Sequence, residues 1–275
     1  MTREFILGKM TWPEVEERLK ETQIAIIPLG STEEHGHHMP IGCDYRCAEA
    51  FASLVAKEVA DDVGAIVLPV MPYGVTCVMD WPGTITLRSE TSINLYIDIM
   101  ESLIHHGFNK LVMLNGHGGN VIQLQVAMKQ VKLKTNAWIG MVGIESFLPE
   151  GFRESIYETR PLNDDSHAGE AETSTALALG LDIRMDKRIT SFPKYEGPAG
   201  YVKHAPAPVG HALYGLFLPL RESMHTGIMG DPTKASKEKG EKIINKAVEG
   251  FADFLRKLNE LEVNPFPFNI WNSRR

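Results

Sequence analysis

The densest group of chemically reactive side chains lies in IIPLGSTEEHGHHMPIGCD, residues 26–44. Its apolar start predicts a buried strand that ends in a loop, and open α/β sheets bind ligands outside the carboxyl ends of their strands. Imidazole and carboxylate groups together suit Zn²⁺, Mn²⁺ or Fe²⁺, whereas an all-oxygen set would indicate Mg²⁺ or Ca²⁺. The ionisable side chains in this segment are Glu33, Glu34, His35, His37, His38 and Asp44.

Two further segments carry the same residue types. A second apolar run, LVML, leads into NGHGGN, residues 115–120, where His117 is the only side chain that ligates a metal well. The third segment is DDSHAGEAETS, residues 164–174, at the predicted start of a helix. Three strand or helix ends that bear such groups can meet at one pocket, so a single site is predicted. The candidates in the third segment are His167, Glu170 and Glu172.

The charges of the candidate ligands favour two divalent cations over one. Glu33, Asp44 and Glu172 contribute three negative charges and a bridging hydroxide a fourth, which two divalent cations balance. A single cation would leave negative charge uncompensated in a partly dry pocket. Glu33 and His35 are two residues apart, so an extended loop would direct both to one side, and Asp44 could bridge the ions. Such a pair would lower the pKa of a shared water and polarise a substrate carbonyl.

The elements that must position these residues follow a βα pattern. Short β-branched runs bounded by Gly or Pro alternate with longer amphipathic segments, which predicts an α/β fold with a mainly parallel sheet. Strands are predicted at 24–29, 65–70, 110–114 and 138–142. Helices are predicted at 46–59, 91–106, 169–179 and 232–258, the last with Asp231 as N-cap.

The remaining organisation of the chain is simple. No linker divides it, so residues 1–275 are predicted to form a single domain. The least regular segment, residues 190–220, is rich in Gly, Pro and aromatic residues, and we expect it to cover a site or to form a subunit contact.

Composition narrows the class of partner. The 275 residues are 43% hydrophobic and 23% charged, with a formal net charge of −7, which argues against a nucleic-acid binder and favours a small-molecule substrate. No signal peptide or membrane span is indicated, so we expect a cytoplasmic protein without a membrane partner. The three cysteines, Cys43, Cys47 and Cys77, lack CxxC spacing and fit reduced thiols.

Several motifs in fixed order make the chain similar to the creatininase family of creatinine amidohydrolases. They are GSTEEHGHHMP with the following Asp44, PYG at 72–74, PGTI at 82–85, NGHGGN, HAGEAETS, and GIMGDPTKASKEKGE at 227–241. The resemblance covers most of the chain. It implies a three-layer α/β/α sandwich, assembled as a homohexamer, with a binuclear zinc, manganese or iron centre.

The resemblance also implies residue roles. By position, Glu33, His35, Asp44 and His117 match the family's metal ligands, with Asp44 bridging the two ions. His167 matches the catalytic histidine, which moves a proton from the metal-activated water to the leaving nitrogen.

The chain departs from creatininase proper at one ligand. That enzyme has a liganding Glu two residues after the His of its NGH motif, where this sequence has Gly119. Glu172 is our candidate for the fifth ligand because it lies at the same helix start as His167. The tryptophans that cover the substrate in creatininase proper have no evident match near residues 164–167, which argues against creatinine itself.

Other candidates have structural alternatives. Glu170 is predicted either as a catalytic residue or as an acidic residue favoured by the helix N-terminus. Glu34, His37 and His38 are expected to support the ligands or to lie at the surface, because the direct ligand positions are already filled.

The candidate site, together with the family resemblance, leaves three functions open. The first is metal-dependent hydrolysis of a C–N bond in a small cyclic amide or formamide, such as a creatinine-like or formamidopyrimidine compound. The second uses the same metal site to open a cyclic inositol-derived diketone by C–C cleavage. The third is a metal-binding scaffold without catalysis, whose ligands would close both coordination spheres.

Overall fold

A sheet of four parallel strands lies at the centre of the computed structural model, which describes residues 4–76, 79–160, 165–192 and 225–273. The strand order is β2-β1-β3-β4. The strands are β1 (Ile24–Leu29), β2 (Ile66–Val67), β3 (Lys110–Asn115) and β4 (Trp138–Val142). The bounds of β1 and β4 coincide with the predicted ones.

Helices cover both faces of this sheet. Successive residues of β1 point to opposite faces, so Ile26 packs with Phe51 and Phe251 on one side, while Ile27 packs with Tyr96 on the other. This arrangement confirms the three-layer α/β/α sandwich. The helices are α1 (Trp12–Leu19), α2 (Cys43–Glu58), α3 (Ser89–His105), α4 (Val121–Thr135), α5 (Phe152–Ile156), α6 (Glu170–Ala178), α7 (Lys237–Glu260) and α8 (Ile270–Ser273).

The order of the strands creates a topological switch point. From β1 the chain crosses through α2 to β2, and from β3 it crosses through α4 to β4, so neighbouring strands β1 and β3 lead to opposite sides of the sheet. Helix α2 packs in the layer of Phe51 and α4 in the layer of Tyr96. The loops after β1 and β3 therefore diverge and leave a crevice at their carboxyl ends.

The long C-terminal helix begins later than predicted. Helix α7 starts at Lys237, and its N-cap is Ser236, whose side chain accepts a hydrogen bond from Lys239 N at 3.3 Å. Asp231 instead caps a short 3-10 turn, Pro232–Lys234, so its prediction as the N-cap of the long helix was wrong. The physical reason is that two capping residues compete within six positions, and the second one initiates the α-helix.

Further elements differ from the sequence-based prediction, since helices α1, α4, α5 and α8 were not predicted and one strand is shorter. The predicted strand 65–70 shortens to Ile66–Val67, because Pro69 has no N–H for the ladder. Helix α4 is not predicted at all, because apolar residues lie on its exposed side, including Ile122 and Leu133, as well as on its buried side. Most of the predicted excursion at 190–220 lies outside the described residues.

Two other features agree with expectation over the part of the chain that is described. Cys43 and Cys47 are free, buried thiols, while Cys77 lies outside the described residues. None of the described helices combines the length and apolar character needed to cross a lipid bilayer.

Candidate metal centre

The predicted ligands meet at the crevice between the carboxyl ends of β1 and β3. The loop after β1 carries Glu33 and His35, and the first turn of α2 carries Asp44. The loop after β3 carries His117, and the first turn of α6 carries Glu172. Segments distant in sequence thus place five histidine and carboxylate side chains together.

Asp44 lies between two histidines. Its Oδ1 is 2.8 Å from His35 Nε2 and its Oδ2 is 3.0 Å from His117 Nδ1. Each histidine also faces another carboxylate, because His117 Nδ1 is 3.1 Å from Glu33 Oε1 and His35 Nε2 is 3.8 Å from Glu172 Oε2. The cluster therefore has two halves that share Asp44, one with His117 and Glu33, the other with His35 and Glu172.

Backbone carbonyls orient both imidazole rings. His117 Nε2 lies 3.0 Å from the carbonyl oxygen of Val75, and His35 Nδ1 lies 3.2 Å from the carbonyl oxygen of Glu33. Donation of an N–H to each carbonyl orients the ring and directs its other nitrogen toward Asp44. Metal-ligating histidines are commonly held in this way.

Burial and mutual charge determine the protonation of the cluster. Burial lowers the pKa of His117, but hydrogen bonds to Asp44 and Glu33 outweigh burial and raise that pKa to about 10. Burial likewise raises the pKa of Asp44, but His35 and His117 outweigh it and hold that pKa well below its usual range. The carboxylates therefore attract positive charge, which protons supply when no cation does.

The donor atoms fit divalent cations. Ligand atoms of Glu33, Asp44 and His117 lie within 4.8 Å of one another, as do those of Glu33, His35 and His167. Two buried atoms, Glu33 Oε2 and His35 Nε2, have no aligned hydrogen-bond partner, and such an atom costs about 1–3 kcal/mol. A cation bound by nitrogen and oxygen ligands would satisfy both atoms.

Polar residues that the sequence analysis missed hold the ligands in place. Ser31 Oγ donates to Asp44 Oδ2 at 2.7 Å. Asn120 joins the loop after β1 to the loop after β2. Its Nδ2 donates to the Gly30 carbonyl oxygen at 3.0 Å, and its Oδ1 accepts from Val75 N at 3.0 Å. The asparagine of NGHGGN was the available signal, since a buried amide that joins two loops requires a residue with both donor and acceptor.

His167 lies beside the cluster. Its ring is 4.5 Å from that of His35, between centroids. Its Nε2 lies 2.9 Å from the backbone oxygen of Glu34 and 3.2 Å from the Oε1 atom of the same residue. The buried Glu34 carboxylate also accepts from Gly36 N at 2.8 Å, so Glu34 both shapes the loop and orients His167.

Glu170 points away from the cluster, into a separate polar network. Its fully buried carboxylate accepts hydrogen bonds from Glu158 N at 2.9 Å, from Thr159 N at 2.7 Å and from Thr159 Oγ1 at 2.8 Å. It also pairs with Lys239 Nζ at 2.6 Å. These contacts join α6 to α7 and to the segment before α6, which favours the structural alternative for this residue.

The two remaining histidines of the first loop do not join the cluster. His38 is buried, and its Nε2 lies 2.9 Å from Thr173 Oγ1. Burial lowers its pKa to about 4, helped by the charge of Arg188, so it stays neutral. His37 is exposed.

The packing around Gly119 explains why this position of the motif has no glutamate. A Cβ on Gly119 would overlap the Val75 carbonyl oxygen and His117 Nε2. The close approach lets Val75 hold the His117 ring, and any larger residue would disturb that contact. The carboxylate that lies nearby instead is that of Glu172 in α6, with Oε2 at 3.8 Å from His35 Nε2.

A cavity of about 520 Å³ opens onto the cluster. Its lining includes two of the candidate ligands together with polar and apolar groups from α2, α5 and α6. Substrate could therefore reach the shared carboxylate. The lining residues used below are Asp44, Glu145, Arg153, Asp165 and Glu172.

Comparison with known sequences agrees with this geometry. The family model Creatininase, described as creatinine amidohydrolase, matches residues 8–255. A creatinine amidohydrolase from Pseudomonas putida is 29% identical, covering 94% of this chain and 98% of its own length. A 3-dehydro-scyllo-inosose hydrolase from Thermotoga maritima is 30% identical over 94% and 83%, and a mycofactocin precursor peptide peptidase from Mycolicibacterium smegmatis is 28% identical over 85% of each chain.

Solved structures share the fold. A crystal structure of creatininase matches with a TM-score of 0.79 and 26% identity, over 94% of this chain and 100% of that chain. A manganese form matches with a TM-score of 0.78 at the same identity and coverage. The fold and the buried histidine and carboxylate cluster define the class as a three-layer α/β/α protein with a candidate metal site. Within that class, the chain belongs to the creatininase family.

Proposed function

We propose that this protein is a binuclear metal-dependent amidohydrolase that cleaves a C–N bond in a small cyclic amide or formamide. One observation carries the proposal: the two oxygens of Asp44 face the ring nitrogens of His35 and His117 at 2.8 and 3.0 Å. A carboxylate that addresses two histidines from separate loops is suited to bridge two cations. Each half of the cluster then has its own further carboxylate.

The ligand set follows from these two halves. Glu33 and His117 would hold one cation, His35 and Glu172 the other, and Asp44 both. Zinc, manganese or iron suits this set of nitrogen and oxygen donors. When bound, two such cations would lower the pKa of a shared water and polarise the substrate carbonyl.

His167 is our candidate for proton transfer. Because its Nε2 lies 2.9 Å from the Glu34 carbonyl oxygen, an N–H there is held by Glu34, and Nδ1 remains to accept and release a proton. The proton would pass from the attacking water to the leaving nitrogen. Glu170 receives no catalytic role, since its carboxylate is occupied by Thr159, Glu158 and Lys239.

A second candidate function keeps the site and changes the bond that is broken. The Thermotoga maritima relative named as a 3-dehydro-scyllo-inosose hydrolase favours C–C cleavage in a cyclic inositol-derived diketone. A polarised carbonyl and an activated water serve either reaction, so product analysis separates them. The open cavity beside Asp44 and Glu172 argues against the third alternative, a closed metal scaffold without catalysis.

The test begins with metal content. We expect about two cations per chain, loss of activity on chelation, and recovery with Zn²⁺, Mn²⁺ or Fe²⁺. The reconstituted protein is then screened against creatinine, formamidopyrimidine nucleotides and inosose derivatives. Binding of less than one cation per chain, or a loaded protein that hydrolyses neither creatinine nor formamidopyrimidine nucleotides, would contradict the proposal.

A variant tests the role of His167. His167→Ala should lower turnover about 10²- to 10⁴-fold, the usual contribution of general acid–base catalysis, while metal content stays nearly unchanged. Loss of bound metal instead would show that His167 is a ligand.

Assembly and location remain proposals of the same kind. We propose a homohexamer in the cytoplasm, on the basis of the family resemblance and of the free thiols of Cys43 and Cys47. The exposed apolar residues Ile122 and Leu133 of α4 are suited to a subunit contact. Light scattering on the purified protein measures the subunit number.

A further inference from the structure

The cavity beside the cluster carries one basic side chain. Among the described residues that line it, Arg153 of α5 alone is basic. We propose that Arg153 binds an anionic group of the substrate, either a carboxylate or a phosphate. This inference rests on the proposed function and narrows its substrates to amides or formamides that carry a negative charge apart from the bond that is cleaved.

The Arg153 guanidinium is held by one carboxylate and keeps other N–H groups available for a ligand. Arg153 Nε lies 2.6 Å from Glu145 Oε2, and Glu145 Oε1 accepts a hydrogen bond from the Tyr157 hydroxyl at 3.0 Å. The contact uses the Nε side of the group, and 41% of the Arg153 side chain remains exposed. An arginine has five N–H donors in a planar fork, so the terminal nitrogens keep donors for a carboxylate or phosphate.

The acidic groups of the cavity wall already have partners. Asp44 and Glu172 belong to the candidate metal centre, and Asp165 accepts hydrogen bonds from the first two backbone N–H groups of α6 at 2.6 and 2.8 Å. Glu145 is the partner of Arg153 itself. Within the part of the chain that the structure describes, the ion pair of Arg153 with Glu145 uses Nε, so an arriving anion could pair with the terminal nitrogens.

The position of the pair relative to the cluster supports one shared ligand. Arg153 and Glu145 line the same cavity as Asp44 and Glu172 of the candidate metal centre. The cavity of about 520 Å³ falls within the range of about 300–1,000 Å³ typical of ligand sites. A substrate with its amide at the cluster and its anionic group at Arg153 fits this space.

Three matched formamides test the inference on the metal-loaded protein: neutral N-formylethanolamine, N-formyl-β-alanine with a carboxylate, and O-phospho-N-formylethanolamine. Calorimetry gives the Kd of each, and formate release gives turnover. We expect at least one anionic compound to bind more than tenfold more tightly than the neutral one. Arg153→Gln should weaken that compound about 10- to 100-fold, as expected for a hydrogen bond to a charged group, and leave the neutral one within twofold.

A matched control separates this site from a general loss of charge. Arg256 has the same contact distance, Nε at 2.6 Å from Asp62 Oδ2, and a similar exposure of 43%, but it lies outside this cavity. Arg256→Gln should leave all three affinities unchanged. Arg153→Lys, which keeps the charge, should retain part of the preference and serves if the glutamine variant does not fold.

The possible outcomes are distinct. The inference is overturned if the neutral formamide binds as tightly as both anionic ones, or if Arg153→Gln leaves the anionic affinities intact because metal alone holds them. A preference that depends on Arg153 supports it, and the two anionic probes show which anion is bound. If the wild-type protein shows the Arg153-dependent preference for an anionic formamide but hydrolyses no compound of the wider screen, the proposed function fails and the binding inference stands.

Discussion

A substitution at Glu170 tests whether this residue, at the start of α6, has a structural role or a catalytic one. Glu170→Gln keeps the shape of the side chain and removes its charge. The side chain of Lys239, only 17% exposed, then keeps the exposed carboxylate of Glu158 at 2.7 Å and the Lys234 carbonyl oxygen at 2.9 Å. The new amide NH₂ would also face the donors of Glu158 N and Thr159 N. The variant therefore acts on the contact between α6 and α7.

The magnitude follows from the burial of the pair. Removing one partner of a buried ion pair costs about 3–5 kcal/mol, and the lower end applies because Lys239 retains Glu158. A loss of about 3 kcal/mol lowers Tm by roughly 6–12 °C at 2–4 °C per kcal/mol for a chain of this size. Thermal and urea unfolding of the metal-free protein measure this loss, while kcat of the folded, loaded variant should stay within about threefold of wild type.

A second buried glutamate provides the control. Glu101 pairs with Lys134 at 2.7 Å on the α3 and α4 side of the sheet, away from the cluster. Glu101→Gln should cost less, because Lys134 is 43% exposed and can regain water. A Glu170→Gln protein that melts like wild type but loses turnover a hundredfold would refute the structural assignment and restore the catalytic one.

The remaining predictions concern the cluster itself. Elemental analysis should show less than one cation per chain for Asp44→Asn and about one for Glu172→Gln. Equal losses of metal in the two variants would contradict the assignment of Asp44 to both cations and of Glu172 to one. Gly119→Ala should weaken metal binding, because its Cβ overlaps the Val75 carbonyl that holds His117. The pKa of His117 is raised to about 10, so its contribution to the stability of the metal-free protein is complete below about 6.5 and is lost as pH rises through about 10. Zinc must displace that proton, so affinity should rise with pH in this interval, and calorimetry in buffers of different ionisation enthalpy should detect proton release; pH-independent binding would refute this.

Several site residues could be predicted from local sequence alone. The strand 24–29 and the loop after it place Glu33 and His35 at a sheet edge, and NGHGGN places His117 at the same edge, because parallel strands end together. Glu172 was predicted from its helix start, and its Oε2 lies 3.8 Å from His35 Nε2. Its role as a ligand stays a prediction until metal content is measured.

Other features required contacts between distant segments. Glu170 and Glu172 are two residues apart on one helix and so face different sides, but only the packing shows that Glu170 faces Lys239 and Glu172 faces His35. Arg153 carries no motif, since its importance comes only from lining the same cavity as Asp44.

The sequence by itself determined the residue types of a metal site, their attachment to strand and helix ends, and the α/β class, because periodicity and chain connectivity are local properties. Only the tertiary structure decided that Asp44 lies between two imidazole rings, that Gly119 leaves no room for a side chain beside His117, and that Arg153 faces the shared cavity. The physical reason is that distances between side chains depend on how the helices pack on the sheet, and that packing is set by the whole core at once.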